Sequence, residues 1–364
     1  MYHYSFQEAH MLTISRPPTP FTLLRTIALA LTFSGLICHA ATPPPTLHVA
    51  TDGTGAYTTV QAAVDAAPDT GGALILIAKG SYREIVTINK PGITLRGAST
   101  NPSETTIVDD HNAGENGGTF RSATVSVYAD DFHAEQLTIA NDFNHTHAQG
   151  STGSQALALL LQGDRAVLRH VHLLGNQDTL FAGHKGCMAA AGKTCTPARS
   201  YFSDCLIAGN VDFIFGDGAV VFDRCEIRST THAAGGYITA QSRVATDQPG
   251  SVFVFNHCTL TAEPGVTNIF LGRPWRPYAA VVYLHTQMGA HIQPAGWHEW
   301  HEGETHSLET ATYAEFDSTG PGADGIKQGK REPFSHQLTP AQAAAFSTPA
   351  VLGGSDHWNP ETAR

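Results

Sequence analysis

Five short β-type runs recur through the middle of the chain: Leu137-Thr138-Ile139, Val171-His172-Leu173, Cys205-Leu206-Ile207, Cys225-Glu226-Ile227 and Cys258-Thr259-Leu260. The steps between them are 34, 34, 20 and 33 residues. Recurrence at this scale marks a solenoid, in which no repeat buries its apolar face until neighbours stack on it. The shortest step, 20 residues, is about the length of one coil of a parallel β-helix. Longer steps then mean loops inserted into a coil, here Asn141 to Ser154, Gly183 to Arg199 and part of Ser229 to Pro249, and such insertions tend to crowd one face.

Composition agrees. Only 15% of residues are charged and 35 are glycine, a balance that favours β-structure with many turns over a helical bundle. The fold expected is therefore all-β, one solenoid domain over residues 46–354 with a C-terminal tail at 355–364. The net charge of −11 and the lack of a basic stripe exclude a nucleic-acid partner held by its phosphates.

Both ends depart from the repeat. Arg16 and Arg25 precede an apolar run from Ile27 to Ile37, too short to span a bilayer, and Cys38-His39-Ala40 ends in a small residue. This reads as a signal peptide over residues 1–40, cleaved before Ala41, with Met11 as an alternative start. Residues 41–45, with Pro43-Pro44-Pro45, form a linker, and the mature protein is expected to be secreted, monomeric and without a membrane segment. Val60, Ala63, Val64 and Ala67 before Pro68 give helical spacing. That predicts a short helix capping the open N-terminal end. Beyond Trp300 the β pattern fades, and the segment Thr339 to Phe346 predicts a short helix closing the other end.

The chemistry concentrates in Gly175-Asn176-Gln177-Asp178-Thr179-Leu180-Phe181 and its echo 34 residues on, Gly209-Asn210-Val211-Asp212-Phe213-Ile214-Phe215. On successive coils, Asp178 and Asp212 occupy one station, about 4.8 Å apart in backbone terms. Arg273, in Leu271-Gly272-Arg273-Pro274-Trp275, can hold one of two such acids ionised while the other keeps its proton. Identical side chains then serve as nucleophile and acid. Gln155 and Gln177 offer amide donors for an oxyanion, and Trp275, Phe181 and Phe215 offer flat surfaces for sugar rings. No metal or other cofactor is expected: His298-Glu299-Trp300-His301 lacks the spacing of the two-histidine zinc helix.

With Cys38 removed, Cys187, Cys195, Cys205, Cys225 and Cys258 remain, and export permits disulfides. Cys205 and Cys225 hold one place on adjacent coils, near 5 Å apart, and are expected to pair. Cys187 and Cys195 would staple the Gly183–Arg199 insertion, leaving Cys258 a buried thiol. The alternative is a reduced row of three packed cysteines.

These features together resemble the pectin methylesterase family from about Thr46 to Gly354. The landmarks are Gly55 to Gln61, Gln155 to Leu159, Gly175 to Phe181, Asp212 to Gly216 and Leu271 to Trp275. The resemblance implies a right-handed parallel β-helix and a pectinesterase that releases methanol from methyl-esterified galacturonate in pectin. By the same resemblance Asp212 is the nucleophile, Asp178 the general acid/base, Gln177 and Gln155 the oxyanion donors, and Arg273 the cation orienting a carboxylate. Trp275, Phe181 and Phe215 are the sugar contacts. The Gly183–Arg199 insertion and the Asn144-His145-Thr146-His147 loop are departures on the expected substrate side, and they bear on chain-length and methylation-pattern preference. Two other functions fit the stacked acids: a glycosidase, which also uses paired carboxyls, and a non-catalytic glycan-binding β-helix. The two amides favour acyl transfer, since glycoside cleavage builds no tetrahedral oxyanion.

Overall fold

The computed structural model describes residues 43–143, 154–185, 195–231, 235–245 and 250–362. The expected signal peptide, the His145 and His147 loop and Cys187 lie outside them. Among the described residues the strands form three parallel sheets of 11, 8 and 7 strands. Seven successive coils, from Ala73 to Pro274, each contribute one strand to each sheet in turn, as in Ala166–Arg169, His172–Leu174 and Leu180–Ala182. The chain winds as a right-handed parallel β-helix. Pairing repeats the sequence steps: His172 faces Thr138 and Leu206, Leu206 faces Glu226, and Glu226 faces Thr259.

Side chains alternate across each short strand, so every coil turns one set inward. Phe202, Phe222, Phe255 and Tyr283 stack through four coils with centroids 4.9, 4.6 and 4.6 Å apart, and all are fully buried. In the six coils from Gln136 to His285, the corner between the first two sheets is made by a single left-handed residue. Gln136, His170, Asp204, Arg224, His257 and His285 have φ between 50° and 57°. Such a conformation costs a non-glycine residue of the order of 1 kcal/mol. Here each amide bonds a carbonyl of the next coil, as in His170 to Ser203 at 3.1 Å and Arg224 to Asn256 at 2.9 Å, which keeps the corner within the ladder.

The residue after each corner points inward, and here the disulfide expectation fails. Cys205, Cys225 and Cys258 are free, buried thiols. An in-register parallel stack keeps their Cβ vectors parallel at the strand spacing of about 4.8 Å, whereas a disulfide draws Cβ atoms to about 3.8 Å on converging vectors. Each thiol instead donates towards carbonyls of its own and the preceding coil: Cys205 to Ser203 and Leu168, Cys225 to Asp223 and Phe202, Cys258 to Asn256 and Phe222. Cys195 is disulfide-bonded.

The helix Val60–Ala66 forms as expected. Thr59 caps it by accepting from the Ala62 amide, and Val60, Ala63 and Val64 are buried over the first coil. The other end differs from expectation. Thr312–Phe316 continues the first sheet, and the helices Pro340–Ala343 and Thr348–Leu352 pack on that sheet's outer face, against Tyr201, Val221, Val254 and Val282. An apolar outer face explains this: a strand buried on both sides reads as an apolar run without alternation, as in Val252–Asn256. Residues past 354 are tied down as well. Arg199 pairs with Asp356 at 2.5 Å and lies over the Trp358 ring.

Candidate active site

The repeated Gly-Asn signal builds the base of the site. Asn210 donates from its backbone to the Asn176 carbonyl at 3.1 Å and from its side chain to the Asn176 amide oxygen at 3.3 Å. Gly209 is required by close approach: a Cβ there would lie 2.3 Å from Phe213 Cβ and 2.7 Å from the Asn176 carbonyl oxygen. With the Asn ladder in place, Leu180 and Phe181 pair in register with Ile214 and Phe215. Asp178 and Asp212 therefore fall at one station on adjacent coils.

Both aspartates are left-handed, with φ of 65° and 49°. Asp212 lies where the register shifts between strands Val211–Gly216 and Gly236–Gln241, a bulge of the kind that re-aims side chains beside functional sites. The two carboxyls enter one cavity of about 240 Å³, also lined by Thr119, Phe120, Gln155, Gln177, Phe215, Ala240, Arg273, Trp275 and Trp300.

Arg273 makes the acids unlike. Its Nε donates to Asp212 Oδ1 at 2.9 Å and its Nη2 to Oδ2 at 2.6 Å, a bidentate pair that favours the carboxylate. Burial raises both carboxyls above the ordinary range. At Asp212 the Arg273 hydrogen bonds and charge pull against that rise. Asp178 lacks that direct bond, and burial, then the charge of Asp212, push it well above the usual value. Two carboxyls with separated affinities for a proton are what acid and nucleophile roles require.

The amides sit beside this pair. Gln177 accepts from the Ser154 hydroxyl at 2.7 Å, and with its oxygen occupied its NH₂ is the group left for the cavity. Gln155 lines the same space. Phe215 is packed between Phe181 at 5.1 Å and Trp275 at 5.9 Å, with ring planes tilted by 57° and 59°. Phe181 does not reach the cavity surface: it is 2% exposed and backs Phe120 and Phe215. It therefore supports the aromatic wall and does not present a face of its own.

Sequence reasoning missed Thr119, Phe120, Ser154 and Trp300. Phe120 comes from the 3₁₀ turn Thr119–Arg121, which belongs to no repeat. Trp300 lies in the irregular segment between strands Gln287–Met288 and Thr312–Phe316, where a single aromatic carries no periodic signal.

Comparison with known proteins gives a consistent result. The model of the Pectinesterase family matches residues 46–355. A probable pectinesterase/pectinesterase inhibitor of Arabidopsis thaliana is 32% identical over 90% of the chain, and the chain spans 60% of that relative's length. The structure of a pectin methylesterase from carrot is 30% identical with a TM-score of 0.75, covering 87% of this chain and 96% of that one. A pectin methylesterase solved in complex with a hexasaccharide is also 30% identical, with a TM-score of 0.67 and coverage of 86% and 98%. With its coils, stacked aspartates and the match across nearly the whole described chain, this protein belongs to the pectinesterase family.

Proposed function

We propose that the protein is a carboxylic ester hydrolase that removes methyl groups from galacturonate units of pectin. One observation carries this reading: two stacked carboxyls, made unequal by a bidentate arginine, share a cavity with two glutamine amides. A relative of similar fold is solved with a hexasaccharide, which supports a sugar chain as the ligand.

The ionised Asp212 attacks the carbonyl carbon of the methyl ester, and Gln177 and Gln155 donate to the oxygen as it gains charge. On collapse of the tetrahedral intermediate the bond from carbon to methoxy oxygen breaks. Asp178, kept protonated by burial, gives its proton to the departing methanol. An acyl-enzyme on Asp212 remains. Asp178, now a base, takes a proton from water as that water attacks the acyl carbon, and the product carboxylate leaves with Asp212 regenerated. Trp275 offers the sugar a stacking face. The N-terminal signal reading implies that this occurs outside the cytoplasm.

Purified protein incubated with methyl-esterified pectin is expected to release methanol and acidify the medium without new reducing ends, while Asp212→Ala releases none. New reducing ends would support the glycosidase reading. No turnover from either protein would support a glycan-binding β-helix.

A further inference from the structure

Arg273 has an unusual reach. It lies on strand Ile269–Pro274, its carboxylate partner on strand Val211–Gly216, and strand Gly236–Gln241 runs between them. The residue facing Arg273 on the intervening strand is Ala240, small enough for the arginine stem to lie across it. A flexible stem stretched over a neighbouring coil does not hold a fork in the plane of a carboxylate unless something fixes the guanidinium. Two rings do so here. The Arg273 guanidinium carbon is 3.9 Å from the centre of the Tyr237 ring and 4.4 Å from that of Trp300. Tyr237 is itself held, stacked on Phe270 at 5.6 Å with 16° between planes, and His298 abuts both rings at 5.7 and 4.7 Å.

We propose that Tyr237 is a positioning residue for the reaction, a π-face that fixes the Arg273 guanidinium and through it the ionised state and aim of Asp212. This rests on the esterase reading above. The interaction is one of ring face with cation, so the hydroxyl has no part in it. Trp300 lines the cavity as well as lying over Arg273, whereas Tyr237 is not among the residues that line it. Its effect is therefore expected in kcat more than in KM.

The test compares Tyr237→Leu with Tyr237→Phe, assayed by methanol release beside the wild type and Asp212→Ala. The leucine variant is expected to lose about tenfold in kcat with KM changed less than about twofold, and the phenylalanine variant to keep wild-type rates. The charged and titratable groups around Asp212 are Arg273, Asp178 and the buried Tyr313 phenol, with His298 behind Tyr237. With Arg273 loosened, Asp212 takes a proton more readily, so the acid limb of kcat/KM moves to higher pH in the leucine variant alone. A second readout needs no turnover. A carboxyl raised further in the folded state loses more stability as pH rises through its folded value. The melting temperature of Tyr237→Leu is therefore expected to fall more between pH 4 and pH 7 than that of Tyr237→Phe. Equal falls, a leucine variant with normal kcat and acid limb, or a phenylalanine variant as impaired as leucine, would overturn the proposal. Wild type and Asp212→Ala alike in releasing no methanol would instead count against the esterase reading, and the melting comparison would still decide the role of Tyr237.

Discussion

Asp178 and Asp212 share a backbone conformation that non-glycine residues seldom adopt, and they share it one coil apart. Their φ values of 65° and 49° point both side chains into the same cavity, and only Asp212 receives the Arg273 fork. The asymmetry comes from what reaches them, since the residues and their stations are alike.

Removing the arginine fork should make this visible in the pH profile. The acid limb of kcat/KM reports Asp212 becoming protonated, and the alkaline limb reports Asp178 losing its proton. Because Arg273 opposes the rise that burial imposes on Asp212, Arg273→Gln is expected to shift the acid limb to higher pH and lower kcat. Methanol release measured across pH checks both, and an unmoved acid limb would detach Arg273 from the titration of Asp212.

Asp178 is predicted to cost the protein stability. Its folded value is raised, so the stability present below the unfolded value of about 4 is lost as pH climbs towards the folded one. Asp178→Asn cannot ionise and escapes that loss. The variant should be inactive yet melt higher than wild type at pH 7, with the gap closing below about pH 4. A variant that melts lower at neutral pH contradicts this account.

The amide donors should act on kcat. Gln177→Ala is expected to reduce kcat by about 10²–10³-fold, the usual loss of one oxyanion donor, with a small change in KM. Ser154→Ala frees the Gln177 amide to rotate and should give a smaller loss in the same direction. Steady-state kinetics on methylated pectin separates kcat from KM, and a change confined to KM would make Gln177 a binding group only.

Cys205, Cys225 and Cys258 should all react with an alkylating agent once the protein is unfolded without reductant. Peptide mapping identifies the labelled residues. A Cys205–Cys225 peptide pair joined by sulfur would restore the expectation that the stack overturned.

Phe222 stands in the middle of the aromatic column, between Phe202 and Phe255. Phe222→Ala should destabilise the fold by about 3–5 kcal/mol, since rigid coils on either side limit collapse into the cavity. Denaturant unfolding measures the loss. A cost below about 1 kcal/mol would mean that the coils close over the gap.

Much of the architecture was legible because a solenoid writes its period into the chain. The steps between Leu137, Val171, Cys205, Cys225 and Cys258 are the register found between the strands. The echo around Asp178 and Asp212 is an Asn ladder with one aspartate per rung. What stayed hidden does not repeat. Phe120 and Trp300 reach the cavity from irregular segments, and Tyr237 differs from any β-strand tyrosine only through the arginine that crosses above it. The cysteines misled because spacing reports how far apart two stations are and not where their side chains aim. The C-terminal helices misled for a related reason: the apolar outer face that receives them is spread over several strands, one or two residues from each.

The winding order of the β-helix carries a consequence for biosynthesis. Gln155, Asp178 and Asp212 belong to successive rungs in chain order, and Arg273 follows two rungs after Asp212, beyond the Tyr237 rung. A polypeptide emerging amino end first would shape both aspartates and their amides well before the guanidinium that sets them apart. A chain ending before the Arg273 rung would carry both carboxyls without the one guanidinium that makes them unequal.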